Sequence, residues 1–141
     1  MTASLLPNPV PEQNPETEEF WKATTEGRLV LLRCEECGVV IWYPRPLCPD
    51  CGSTTVVWIE GSGLGTVYSF SVVYRSAGSY QRAVPYVVAY VELTEGPRVL
   101  TNIIGCDPEQ VYIGQPVRVV FCDTGDGSAL YRFEPVAADG Q

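Results

Sequence analysis

The chain contains no histidine, a single lysine (Lys22) and a single methionine. The missing imidazole removes the commonest general base and the usual ligand of catalytic zinc. Cations are scarce overall. Nine Lys and Arg stand against seventeen Asp and Glu, for a net charge of −8, and neutralising phosphates needs a basic face, so a general nucleic-acid partner is not expected. Long apolar runs are also missing; none approaches the ~20 residues that span a bilayer. Leu5-Leu6 is far too short for the core of a leader segment, and no basic stretch precedes it. The expectation is a cytoplasmic protein with no membrane span. Two catalytic signatures are lacking too. No Gly-x-Ser-x-Gly elbow occurs, and Asp123–Gly127 lacks the ligand spacing of a calcium loop and reads as a hairpin turn.

What the chain does have is a doubled cysteine motif. Cys34-Glu-Glu-Cys37-Gly38 and Cys48-Pro-Asp-Cys51-Gly52 form two Cys-x-x-Cys-Gly knuckles. Each knuckle offers two soft ligands, and together they fill the four corners of a tetrahedral site. In a reducing compartment this pattern favours metal over two disulfides or free thiols. Zinc is the expected ion, with iron as the alternative because Cys-Pro-x-Cys-Gly also builds rubredoxin-type sites. Four protein thiolates leave no open coordination position, so the site reads as structural rather than water-activating. Cys106 and Cys122 are separate from this cluster and read as buried apolar cysteines.

Twelve prolines and thirteen glycines in 141 residues imply many turns and short elements. Residues 1–13, with prolines at 7, 9 and 11, read as an extended mobile tail. Residues 14–28 read as a helix with Asn14 as N-cap, Pro15 at the first helical position and Gly27 as its stop. On it, Phe20 and Trp21 either pack on the chain's own core or anchor a partner. Residues 29–60 hold three short strands around the knuckles, a zinc ribbon. Residues 61–136 hold five longer strands, at 64–75, 84–93, 97–104, 116–122 and 129–134. A helical turn capped by Asp107 and opened by Pro108 lies between the third and fourth. That is the order of an OB-fold barrel. Residues 137–141 read as a tail. The fold class is therefore mainly β: N-terminal helix, rubredoxin-like zinc ribbon, five-stranded OB-fold.

Alternation splits the second barrel strand into Val87, Ala89, Val91, Leu93 and Tyr86, Val88, Tyr90, Glu92. On the first, it groups Tyr68, Phe70, Val72 and Tyr74. Gly63 and Gly65 open that strand where a barrel needs a bend. The loop from Arg75 to Pro85 carries Arg75, Tyr80 and Arg82 and leads into Tyr86. On an OB-fold it flanks the usual ligand face, so it is either a solvated loop or a contact for a partner or an anionic cofactor.

With helix, ribbon and barrel in this order, the chain resembles the domain-of-unknown-function family thirty-five. The matching residues include Phe20-Trp21, the four knuckle cysteines with Gly38 and Gly52, and Pro44-Arg45-Pro46. Further matches are Ser62-Gly63-x-Gly65-x-Val67-Tyr68-Ser69, Pro85-Tyr86 and Leu93-x-Glu95-Gly96. They span roughly residues 16–135. Where many members carry His-Arg after the first barrel strand, this chain has Tyr74-Arg75, so no histidine role carries over.

The resemblance implies a non-catalytic companion of a thiolase-fold acyl-CoA enzyme. Its specific form is a subunit of the retro-aldol lyase of CoA-linked steroid side-chain breakdown, in a heterotetramer or larger complex. Thiolases and a hotdog-fold enoyl-CoA hydratase are related partners, and the acyl-CoA substrate would be shared with the partner. Phe20, Trp21, Arg45, Arg75, Tyr80, Arg82 and Tyr86 are the candidate contacts to partner or CoA. Two other readings stand beside it: a single-stranded nucleic-acid module stacking bases on Tyr68, Phe70, Tyr86 and Tyr90, opposed by the charge, and a small acyl-CoA enzyme, opposed by the missing histidine and the closed metal site.

Overall fold

The computed structural model describes residues 6–136. Its elements are α1 (Glu18–Thr25), β1 (Val30–Cys34), β2 (Val40–Ile41), β3 (Val56–Glu60), β4 (Leu64–Val73), β5 (Tyr86–Leu93), β6 (Arg98–Ile103), β7 (Pro116–Asp123) and β8 (Ala129–Pro135). Strands β2, β1 and β3 form an antiparallel three-stranded sheet, and the other five close a barrel in the order β4-β5-β6-β8-β7. Short 3₁₀ turns occupy Gly78–Tyr80 and Pro108–Gln110. The second is the expected turn: Asp107 caps it by accepting from the Glu109 N–H at 3.0 Å.

The helix starts later than the sequence suggests. Asn14 caps a separate turn rather than α1. Its Oδ1 accepts from the Thr17 N–H and hydroxyl, both at 3.2 Å, while the Asn14 N–H donates back to Thr17 Oγ1. This reciprocal pair holds residues 15–17 in a turn, and the helical ladder begins where the Trp21 N–H reaches the Thr17 carbonyl. The stop is as expected. Gly27 takes a φ of +77°, and its N–H and that of Arg28 return to the Thr24 and Ala23 carbonyls, a Schellman ending.

Part of the N-terminal tail is tied down. Leu6 is buried, and Arg132 on β8 bonds Asn8 Oδ1 at 2.7 Å and the Pro7 carbonyl at 2.5 Å. Residues 7–14 belong to no helix or strand. Residues 1–5 and the C-terminal tail 137–141 lie outside the described residues.

The barrel interior is filled by Val87, Ala89, Val91 and Leu93 of β5, joined by Val67, Val99, Ile103, Val117 and Phe133. On β4 the sequence reading is corrected. Val67 pairs with Val91 but Ser69 with Tyr90, so Tyr68 is an extra residue in a β-bulge. The bulge switches the faces. Phe70 and Val72 then pair with the inward Ala89 and Val87 and pack on the core, while Tyr68 is exposed. Tyr68 and Phe70 therefore do not share a face.

Candidate metal centre and partner surface

The four knuckle sulfurs converge. All lie within 4.8 Å of one another, with Cys34–Cys51 and Cys37–Cys48 both at 3.6 Å. All six cysteines are free thiols, and 3.6 Å is far beyond a disulfide bond of about 2.05 Å. A tetrahedron with metal–sulfur bonds of about 2.3 Å has edges of about 3.8 Å, so the sulfur positions fit one metal ion. Local folding makes this cage. The Gly38 N–H returns to the Cys34 carbonyl and the Gly52 N–H to the Cys48 carbonyl. The two glycines adopt φ of +79° and +77°, the left-handed region that side chains avoid.

Charge points the same way. The backbone N–H of Cys37 donates to Cys34 Sγ at 3.5 Å and pulls that thiol down to about 6. At Cys51 the Ser53 N–H favours the thiolate, but the Cys34 sulfur, then desolvation and the other two sulfurs, outweigh it and push the thiol up to about 12. Four sulfurs this close cannot all ionise unaided. A divalent cation among them removes the conflict and takes all four as thiolates. Buried Cys34 and Cys48, with Leu32 and Ile41, are also the ribbon's own small core.

The candidate contact residues separate into two groups. Phe20 and Trp21 are inside the chain's own core, at 0% and 4% exposure, so they have no free face for a partner. Phe20 meets Trp42, Tyr43 and Tyr131 edge-on at centroid distances of 5.3, 5.9 and 5.9 Å. The Trp21 indole N–H donates to the Tyr43 hydroxyl at 3.0 Å. Helix, ribbon and barrel thus share one aromatic cluster. The barrel's β8 is further tied to α1 where the Ala129 N–H reaches Thr24 Oγ1 at 3.1 Å.

The other five candidates lie at the surface or half-buried near it. Arg45 is exposed and bonds within its own turn, to the Tyr43 carbonyl. Arg75 and Arg82 are exposed on the β4–β5 loop with no ion pair among the described residues. In the same loop region the rings of Tyr80 and Tyr86 sit 5.8 Å apart, and the Tyr86 hydroxyl is 3.4 Å from Ser76 Oγ. Tyr74 bonds Glu109 and fastens the end of β4 to the 108–110 turn. That bond pushes the phenol's pKa up.

Other residues serve structure. Glu92 pairs with Arg98 at 3.3 Å, and Glu95 Oε2 accepts the Ser62 N–H at 2.8 Å, holding the link between β3 and β4. Cys106 and Cys122 are half-buried, not fully buried as the sequence suggested, because each lies near an element's end. Arg132 escaped sequence reading altogether. An arginine between Tyr131 and Phe133 on an alternating strand reads as solvent-facing, yet it is 3% exposed. No local pattern signals this burial, which comes from the N-terminal segment bonded to it.

Comparison with known proteins agrees with this architecture. Residues 21–57 match the family described as "ChsH2, rubredoxin-like zinc ribbon domain", and residues 58–122 the family "ChsH2, C-terminal OB-fold domain". A DUF35 domain-containing scaffold protein of Methanocaldococcus jannaschii is 39% identical over 77% of this chain and 82% of its own length. The chain belongs to the DUF35 family. A probable enoyl-CoA hydratase alpha subunit of Thermomonospora curvata is 37% identical over 90% of this chain. The chain spans only 40% of that subunit's length. Among solved structures, the "Ltp2-ChsH2(DUF35) aldolase" superposes with a TM-score of 0.81 at 36% identity, covering 91% of this chain and all of the matched one. Among the described residues, no helix is long and apolar enough to cross a membrane.

Proposed function

We propose that this DUF35 chain is a non-catalytic subunit that binds and stabilises a thiolase-fold acyl-CoA enzyme. The specific partner is the retro-aldol lyase of CoA-linked steroid side-chain breakdown. The observation that carries this reading is the end-to-end similarity to the ChsH2 chain of an aldolase, 36% identical over the whole of that chain. The relatives named as a scaffold protein and as a hydratase subunit support the same accessory role. The resident ion in this reading is zinc, since the four thiolates fill its tetrahedral preference and the matched family is a zinc ribbon. Zinc there neutralises the thiolates and closes the ribbon. Arg75 and Arg82, exposed cations with no ion pair among the described residues of a chain of net charge −8, are the side chains suited to an acidic partner surface or to CoA phosphates near it.

The test is co-expression with a thiolase-fold aldolase of the same host. The expected result is co-elution as a heterotetramer or larger assembly, with retro-aldol turnover only when both chains are present. A chain that elutes alone and alters neither the solubility nor the turnover of any thiolase-fold enzyme overturns the reading.

A further inference from the structure

Phe133 and Arg132 are neighbours on β8, and successive side chains on a strand point to opposite faces. Phe133 is fully buried in the barrel interior, which puts Arg132 on the barrel's outer side. A guanidinium there ordinarily reaches water. This one is 3% exposed and has no carboxylate partner among the described residues. Among the described residues its acceptors are both neutral and both come from the N-terminal segment: Asn8 Oδ1 at 2.7 Å and the Pro7 carbonyl at 2.5 Å. Asn8 also donates from Nδ2 to the Asp123 carbonyl at the end of β7, 3.3 Å away. Immediately before them Leu6 is buried.

We infer that β8 and the end of β7 form a peptide-acceptor groove, and that Leu6–Asn8 is its tethered ligand. The ligand class is an extended segment with one apolar side chain followed by two carbonyl oxygens that converge on Arg132. The prolines flanking Asn8 suit this role, since they hold the segment extended at little entropic cost. The occupant matters to the groove as much as the reverse. A buried cation stripped of its acceptors is costly, so strap and barrel stabilise each other. When the strap leaves, Arg132 becomes an open site for another segment of the same chemistry. This inference is independent of which enzyme the chain accompanies.

Two measurements test it. In the full chain, Asn8→Ala removes one acceptor at an exposed position without touching the core. It should lower the melting temperature by about 3–8 °C and speed amide exchange at residues 6–8. A change of less than about 1 °C, with unaltered exchange, overturns the inference. The second measurement deletes residues 1–8 and adds a fluorescent peptide of sequence Leu-Pro-Asn-Pro-Val. The peptide should bind the shortened chain, or refold it if the deletion unfolds it, and should not bind the full chain or an Arg132→Met version of the shortened one. A folded shortened chain that ignores the peptide, or binding equal in the full chain, overturns it. If the shortened chain neither folds nor responds, the Asn8→Ala result decides.

Discussion

A methyl group at position 65 would lie 2.5 Å from the Glu92 carbonyl oxygen and 2.8 Å from Val91 Cγ1. The first neighbour is backbone of the paired strand β5, which cannot swing aside. Gly65→Ala should therefore destabilise the protein by about 1–3 kcal/mol, read as a lower denaturation midpoint with an unchanged slope. A midpoint equal to that of the parent would mean that β4 and β5 are less closely apposed than described. The sequence pointed to Gly65 as a bend, but its reason is a cross-strand approach that no local pattern records. Phe20 and Trp21 show the same limit. Two adjacent large aromatics on a short helix are legible as anchors, but whether they anchor inward depends on Trp42, Tyr43 and Tyr131, more than twenty residues away in the chain. Arg132 was wholly illegible, since its burial comes from a segment at the other end of the chain.

At the scale of elements, the barrel strands were readable because period-two alternation and turn residues agree, and the 108–110 turn because Asp107-Pro108 carries its own cap. The ribbon was readable because knuckle spacing fixes its metal geometry. The faces of β4 were not. Val67-Tyr68-Ser69-Phe70 alternates smoothly, and only pairing with β5 reveals that Tyr68 is the extra residue. The bulge makes a prediction that the plain alternation reverses. Tyr68 is outside, with the Arg98 guanidinium 3.9 Å over its ring, a contact worth about 0.5–1 kcal/mol at an exposed site. Phe70 packs against the core. Tyr68→Ala should thus cost less than about 1 kcal/mol, and Phe70→Ala about 2–4 kcal/mol, by equilibrium unfolding of each variant. Equal costs would place both rings on one face and remove the bulge.

For the molecule as a whole, the metal centre matters through what the ribbon carries. The ribbon's own core is little more than Leu32, Ile41, Cys34 and Cys48, too small to hold three short strands without the ion. Yet its second strand leads into Trp42 and Tyr43, which close around Phe20 of the helix and reach Tyr131 of the barrel. Losing the ion should therefore loosen this shared cluster, and with it the fixed relation between ribbon and barrel that a partner would read. Cys48→Ser replaces a buried soft ligand with a hard hydroxyl of nearly the same size, so packing changes little while metal affinity collapses. The variant should retain no bound metal by elemental analysis and should lose the near-ultraviolet dichroism of its clustered aromatics. It should keep much of the far-ultraviolet signal of the barrel, whose strands pair with one another rather than with the ribbon. In co-expression it should also fail to co-elute with the partner enzyme proposed for the parent chain. A variant that loses the metal but keeps both its aromatic signal and its partner would show that the ribbon is not what sets the binding surface.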